Sequence, residues 1–383
     1  MMIIKTVADA PTDGISSLAW LDRDTLVSAN WDSSIRLFRA SSSAAALEPR
    51  GAWRHHKAPV LCVAPGPTGA GAGAGASVLS GGVDGDVRLS HSLSGSAGSG
   101  GSGGGGSGGA SDVIGAHTQA VRCVKWCGDA SVRLAASGAW DGAVRLWDPQ
   151  ASSGGGARPA ASFQLPSDAE HGQSKVFAMA LLGGGAGASE SAPRLVVGTS
   201  WRQILTFDLR KLGAGPLTTV DSPLKHQTRS IEASPAGDFL AIGCTEGRVA
   251  IEYTAAESAS KSYAFKCHRR KEPANAGAAP GAEAAETSFP VHAIAFHPVH
   301  GTFATGGGDK QVALWDGAGR KRLALVGPFP NTVTALAFST GDGGRLAIAS
   351  SYDYVAGEGV THPPDSIFVR TVADGEVRPK GAK

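Results

Sequence analysis

A short phrase, a tight polar turn followed by a strand of alternating character, recurs from one end of the chain to the other. Its fullest version is Ala139-Trp140-Asp141-Gly142-Ala143-Val144-Arg145-Leu146-Trp147-Asp148. Clear copies are Asn30-Trp31-Asp32-Ser33-Ser34-Ile35-Arg36-Leu37-Phe38, Gly82-Val83-Asp84-Gly85-Asp86-Val87-Arg88-Leu89 and Asp309-Lys310-Gln311-Val312-Ala313-Leu314-Trp315-Asp316. Weaker echoes sit at 201–208, 246–252 and 352–370. A unit this small cannot bury its own apolar face, so repetition predicts equivalent sheets stacked on one another. The copies stand roughly 45–60 residues apart, more than the ~40–45 of a four-stranded blade, and Gly-, Ala- and Ser-rich inserts make up the difference. The expected fold is all-β, a seven-bladed β-propeller formed as a single domain over residues 1–383.

Apolar runs fill the innermost strand of each blade at 15–20, 60–63, 121–126, 176–182, 231–234, 291–296 and 333–338. A second run follows each, at 25–28, 77–80, 134–137, 195–199, 239–243, 302–306 and 345–350. Val, Ile, Leu and Thr bounded by Gly, Asp and Asn are what half-buried pleated strands require. The last blade has its third strand at 367–372, close to the end of the sequence, while 3–7 precedes the first blade. Pairing of the two would remove an open edge, so the last blade is expected to be closed by the N-terminal strand. Residues 95–111 are almost wholly Gly and Ser, and 70–76, 183–191 and 274–286 are similar; all four read as flexible inserts.

Net charge is only +2, so nothing global draws the protein to nucleic acid. No apolar run approaches the ~18–20 residues of a membrane span, and residues 1–9 lack the pattern of a secretory signal. Five cysteines, an odd number, lie scattered through strand-like segments and fit a reducing compartment. Cys123 and Cys127 fall on one strand face about 13 Å apart, too far to share a metal, and read as ordinary buried cysteines. The chain has no Gly-x4-Gly-Lys, His-Glu-x-x-His or Cys-x-x-Cys, and its eleven His are dispersed. No catalytic residue, metal or cofactor is expected.

A binding face is expected instead. In a propeller, the turns between second and third strands and the connections between blades emerge on one rim. The turns place Trp31, Trp140, Trp201, Arg202, Arg248 and Lys310 there; the connections place His55, His56, Lys57, His117, Gln227, Arg229, Lys266, His268 and Arg269 there, with acids concentrated elsewhere. Trp and Arg are frequent interface anchors, and Arg grips a carboxylate or phosphate through two parallel hydrogen bonds. Arg229, Arg248 and Lys266, assigned to consecutive blades, are expected to converge on an anion supplied by Glu, Asp or phosphothreonine of a partner chain.

Gly115-Ala116-His117 resembles the Gly-His of WD repeats, and the resemblance implies a buried hydrogen-bonded set of His117, Ser137, Asp141 and Trp147. Further phrases are more specific: Lys225-His226-Gln227-Thr228-Arg229, Glu246-Gly247-Arg248-Val249-Ala250-Ile251-Glu252-Tyr253, Tyr263-Ala264-Phe265-Lys266-Cys267-His268-Arg269 and Leu346-Ala347-Ile348-Ala349-Ser350-Ser351-Tyr352. Over essentially the whole chain outside the inserts, these resemble the Bub-three (budding uninhibited by benzimidazole) family of spindle-checkpoint WD-repeat proteins. The Phe-Lys-Cys-His-Arg phrase is shared with a related family, the messenger-RNA-export WD-repeat proteins of the nuclear pore. Tyr263-Ala264 and Ser366-Ile367-Phe368-Val369-Arg370 favour the checkpoint branch.

The resemblance implies a non-enzymatic adaptor of the nucleus and, in mitosis, the kinetochore, with the cytoplasm as an alternative location, a monomer within hetero-complexes that uses neither membrane nor nucleic acid. Its implied partners are Bub-type checkpoint kinases or pseudokinases, whose acidic segment lies across the top face, and phosphorylated Met-Glu-Leu-Thr repeats of a kinetochore scaffold. Ubiquitin or the mitotic checkpoint complex are further partners it admits. It assigns phosphate reading to Arg248 and Lys266, contact with the acidic segment to Arg229, and packing against the bound chain to Trp31. Trp201 and Lys310 depart from the family, which usually has a small residue and Gly at these places. The alternatives are an export protein binding a nucleoporin, or a scaffold subunit of a ubiquitin-ligase or chromatin complex.

Overall fold

The computed structural model of the protein describes residues 4–7, 9–40, 47–66, 77–91, 110–127, 134–151, 158–183, 193–271, 286–355 and 357–379. The insert at 70–76, and all but the edges of those at 95–111, 183–191 and 274–286, lie outside them. At those edges Ser111 and Glu286 are strand residues, correcting the insert boundaries. Their backbones pair with Ser90 and Lys271, which outweighs a loop-like composition.

The repeating units form seven four-stranded antiparallel sheets. The first runs outward as Ile15–Trp20, Thr25–Asn30, Ile35–Ala40 and Leu47–Trp53. Five more blades repeat that order. The seventh is built from Thr332–Phe338, Arg345–Ser351, Ser366–Thr371 and, outermost, the N-terminal Ile4–Thr6, which pairs from Ile4↔Arg370 to Thr6↔Phe368. Each innermost strand touches the next in cyclic order, and the first blade's touches the seventh's, so the ring closes. Core side chains wedge between blades. At the closing seam Ile15, Leu26 and Phe38 pack against Ala347, Ile367 and Val369, each fully buried large side chain contributing roughly 1.5–3 kcal/mol. None of the described helices is long and apolar enough to cross a membrane.

Two backbone devices repeat around the ring and set the functional face. Each connection between second and third strands has a residue in the left-handed region: Ser33 (φ 64°), Gly85 (82°), Gly142 (77°), Arg202 (62°), Gly247 (64°), Lys310 (65°) and, in the long seventh connection together with Gly357 and Gly359, Tyr354 (58°). Glycine adopts this conformation without steric penalty, so its replacement by lysine at 310 places a strained residue in the turn. The second device is a register shift near the start of every innermost strand. The shift leaves one unpaired residue per blade: Ser16, Leu61, Arg122, Phe177, Arg229, His292 and Thr334. A bulge re-aims a side chain, and all of these except Leu61 line a cavity of ≈ 180 Å³ on the propeller axis.

Candidate partner-binding face

The polar sets come first because they hold the loops that carry the face. His117 Nδ1 lies 3.1 Å from Asp141 Oδ1 and its Nε2 2.6 Å from Ser137 Oγ, while Trp147 Nε1 donates to the same hydroxyl at 2.7 Å. Two further sets escaped the sequence reading. His56 bonds Asp84 (3.0 Å) and Ser80 (2.9 Å). His268 bonds Asp309 (2.7 Å) and Thr305 (2.9 Å), and Trp315 Nε1 donates to the Thr305 hydroxyl at 2.9 Å. His56, His117 and His268 are therefore not part of the basic rim expected above; all three are buried and satisfied internally. For the His268 set the signal available in the sequence was a Thr ten residues before a Trp, Thr305–Trp315, as in Ser137–Trp147; the His56 set carries no such signal, because position 90, ten after Ser80, is Ser.

Arg229, Arg248 and Lys266 do not come from consecutive blades. All three belong to the fifth, in strands Thr228–Ala233, Arg248–Tyr253 and Tyr263–Lys266. Gly247 turns the chain into the third strand, with room for no side chain, because an added Cβ would sit 2.6 Å from the His268 carbonyl. The next residue, Arg248, pairs directly with Lys266. Like charges opposite one another on a ladder repel, and two carboxylates offset them. Glu246 lies 3.8 Å from Arg248 Nε, 3.7 Å from Arg269 Nη2 and 2.9 Å from His226 Nε2. Glu286 lies 2.8 Å from Arg269 Nη1 and 3.3 Å from Lys266 Nζ. Hydrogen bonding by Arg269, with Lys266 beside it, holds the Glu286 carboxyl below its ordinary range. The expectation that acids concentrate elsewhere is thus corrected.

Three cations against two carboxylates leave one positive charge. The mostly buried Arg269 bridges both glutamates, whereas Arg248 and Lys266 remain 40% and 55% exposed. The Arg248 Nε is buried without a hydrogen-bond partner. Exposed pairs of this kind contribute only ~0–1 kcal/mol, so an incoming dianion can displace them.

Arg229 is separated from this pair by its bulge, which turns it toward the axis and not onto the outer rim. There its Nε reaches His292 Nδ1 at 3.4 Å. Its surface remains accessible to solvent through the channel, yet protein surrounds it. This enclosure, together with Arg122, lowers its guanidinium to about 10. Trp31 projects from the first blade, 47% exposed, and packs on Gly14, where a Cβ would meet the ring at 3.4 Å. By ring order the sixth and seventh blades separate it from the fifth, so the predicted contacts span an extended track and not one pocket. Trp140 and Trp201 are partly buried, Trp201 beside His171 at 5.8 Å. Cys123 and Cys127 are free and only partly buried; burial of the thiols raises both, Cys127 to about 12. Among the described residues no group of three His, Cys, Asp or Glu could hold a metal ion.

Residues 3–39, 110–148 and 284–316 match the WD domain, G-beta repeat. Over 379 residues the chain is 34% identical to the "Mitotic checkpoint protein BUB3.1" of Arabidopsis thaliana, covering 98% of this chain and 95% of that one. It is 34% identical to the "Mitotic checkpoint protein bub-3" of Caenorhabditis elegans over 359 residues, 93% and 89% of the two chains. The "Poly(A)+ RNA export protein" of Schizosaccharomyces pombe is 29% identical over 382 residues, 98% and 93% of the two chains.

Proposed function

Because this chain belongs to the Bub3 family of mitotic checkpoint WD-repeat proteins, we propose that it is a non-enzymatic checkpoint adaptor whose top face binds polypeptide segments by their negative charge. Arg248 and Lys266 read a phosphothreonine in a repeated kinetochore-scaffold motif. Arg229 receives an acidic segment of a Bub-type kinase or pseudokinase, and Trp31 packs against the bound chain. The protein works in the nucleus and, during mitosis, at kinetochores.

One observation carries this reading: two exposed cations stand directly opposite each other in the ladder, and one of them has a buried Nε–H with nothing to bond. A phosphothreonine brings about −1.5 to −2 charges and three acceptor oxygens, which engage the exposed faces of the guanidinium and the ammonium and relieve the repulsion. Each charge-assisted contact contributes roughly 1.5–3 kcal/mol. Loss of the phosphate leaves a neutral hydroxyl that cannot do either.

Calorimetric titration with a phosphorylated Met-Glu-Leu-Thr peptide tests the assignment. Arg248→Ala and Lys266→Ala are each expected to weaken binding at least tenfold without lowering the melting temperature, and the unphosphorylated peptide is expected to bind all three proteins equally weakly. Unchanged affinity in both variants refutes it. The similarity to the fission-yeast export protein favours a second reading, nucleoporin binding in messenger-RNA export. Affinity capture from mitotic cells separates the two, by recovery of checkpoint kinases or of nucleoporins.

A further inference from the structure

Ten large apolar side chains are exposed among the described residues, and four of them, Trp31, Tyr354, Val355 and Val360, fall in the top-face connections of two adjacent blades, the first and the seventh. Tyr354 is 52% and Val355 81% exposed. Clustered apolar exposure of this kind marks a contact site. Internal bonds hold the seventh connection in shape. The Tyr352 hydroxyl donates to the Gly357 carbonyl at 2.8 Å, its amide donates to Asp365 Oδ1 at 2.8 Å, and its ring stacks on His362 with centroids 4.4 Å apart. The Tyr354 ring leans on Tyr352 at 5.0 Å. At φ 58° Tyr354 keeps a conformation that a bulky residue adopts only where its surroundings enforce it. The same place is negative. Asp13 foremost, then burial, Asp365 and Glu358, raise the Tyr354 phenol above its ordinary value. None of the three carboxylates makes an ion pair among the described residues. Asp13 accepts from the Gly14 amide at 2.7 Å, and Gly14 lies against the Trp31 ring, which links Trp31 through Asp13 to Tyr354.

We propose that this patch between the seventh and first blades is a second docking surface, for an arginine of a partner polypeptide, whose aliphatic stem lies on Tyr354 and Val355 and whose guanidinium faces Asp13 and Glu358. Both halves of that side chain find a complement here. The stem covers apolar surface that otherwise faces water, and the planar guanidinium stacks on an aromatic ring while its edge donates to carboxylates. An acidic or phosphorylated side chain would meet like charge at the same place. The surface is assigned from its own residues and stands whether or not Arg248 and Lys266 read a phosphate. Where both hold, the top face is bipolar: its fifth-blade end selects anions and its seventh-blade end a cation. A segment spanning the track must then change sign along its length, which fixes the direction in which it lies. Because the seventh connection is already ordered, binding costs little loss of chain freedom.

NMR of the full chain with 13C-labelled tyrosine rings reads this surface directly, because the sequence has four tyrosines and two of them, Tyr352 and Tyr354, form the patch. The probes are acetyl-Gly-Leu-Arg-Leu-Gly-amide and the same peptide with citrulline in place of Arg, which keeps the shape and loses the charge. The Arg peptide is expected to shift the Tyr354 and Tyr352 ring signals saturably while those of Tyr253 and Tyr263 stay fixed. The citrulline peptide is expected to bind about tenfold more weakly, since it can neither pair with the carboxylates nor place a cation on the ring. Asp13→Asn, which keeps the acceptor for the Gly14 amide, and Glu358→Gln should each weaken the Arg peptide about threefold and together about tenfold, with unchanged melting temperature. An unmoved Tyr354 ring overturns the surface, and so does equal binding of the citrulline peptide or an unweakened double variant. The phosphopeptide titration of the Arg248 and Lys266 variants involves none of these residues, so the two readings fail independently.

Discussion

Asp141 shows how a single polar contact is made to hold a blade. Burial alone would raise its carboxyl, but the hydrogen bond from His117 and those from the amides of Ala143 and Thr118 outweigh burial and keep it at about 2. Its folded pKa lies below the ordinary 3.8, so the ionised form stabilises the fold above that value, and the stabilisation is lost as pH falls from about 4 to about 2. The shift corresponds to about 2 kcal/mol. Asp141→Asn is expected to lower the urea-unfolding free energy at pH 7 by that amount and to flatten the acid limb of the stability profile; an unaltered limb would show that the proton linkage lies elsewhere. The turn glycines make a second residue-scale test. At Gly247 both the positive φ and the His268 carbonyl oppose a side chain, so Gly247→Ala is expected to destabilise by at least ~2 kcal/mol in chemical denaturation. Ser33→Gly, at the equivalent position of the first blade, is expected to be neutral or to stabilise by up to ~1 kcal/mol. The Gly of Trp140-Asp141-Gly142 and Glu246-Gly247-Arg248 was legible in the sequence as a turn, and Lys310 was marked by standing where the family has Gly; that Ser33, Arg202 and Tyr354 adopt the same φ was not legible, because their types do not demand it.

At the scale of elements, the strands were legible because a half-buried strand alternates with a period of two and ends in Gly, Asp or Asn. Four of the seven innermost strands, Ile15–Trp20, Val121–Trp126, Val176–Leu182 and Val291–Phe296, begin and end where the apolar runs do. The bulges were not legible. Their extra residues, among them Ser16, Arg122, Phe177 and His292, share no chemistry, and a single unpaired residue inverts the face on which everything before it falls. Arg229 was placed on the rim because the fifth innermost strand reads as starting at residue 231, whereas it starts at Thr228 and includes the bulge; Arg122 and His292 were overlooked because the bulges that re-aim them carry no signal. Closure by Ile4–Thr6 followed from counting strands, and it has a measurable consequence. Without residues 1–7 the backbone of Ser366–Thr371 becomes an open edge. Deletion of these residues is expected to cost a few kcal/mol in lost ladder hydrogen bonds and to promote association. Thermal melts followed by light scattering check this, and an equally stable, monodisperse truncated protein would mean the pairing contributes nothing to closure.

Across the whole molecule the two anion-reading positions differ in what controls them. Arg248 and Lys266 sit in the open with two glutamates as placeholders, so their contacts are screened over the ~8–10 Å Debye length of ordinary buffers. Arg229 lies inside the ring, where salt screens less. A change of pH should also move one ligand and spare the other. A phosphothreonine has its second pKa near 6 and loses charge below it, while Arg248 and Lys266 stay cationic, so phosphopeptide affinity should fall severalfold between pH 7.5 and 5.5. Over that interval a carboxylate, with its ordinary pKa of about 4, and Arg229, at about 10, both keep their charge, so acidic-segment affinity should hold. Affinities of a phosphorylated repeat peptide and an unphosphorylated acidic peptide, each measured at both pH values in 0.05 M and 0.5 M salt, are expected to diverge: the first weakened by acid and strongly by salt, the second indifferent to acid and weakened less by salt. Parallel responses to salt would mean that one exposed cationic surface reads both ligands and that the axis contributes nothing to the choice between them.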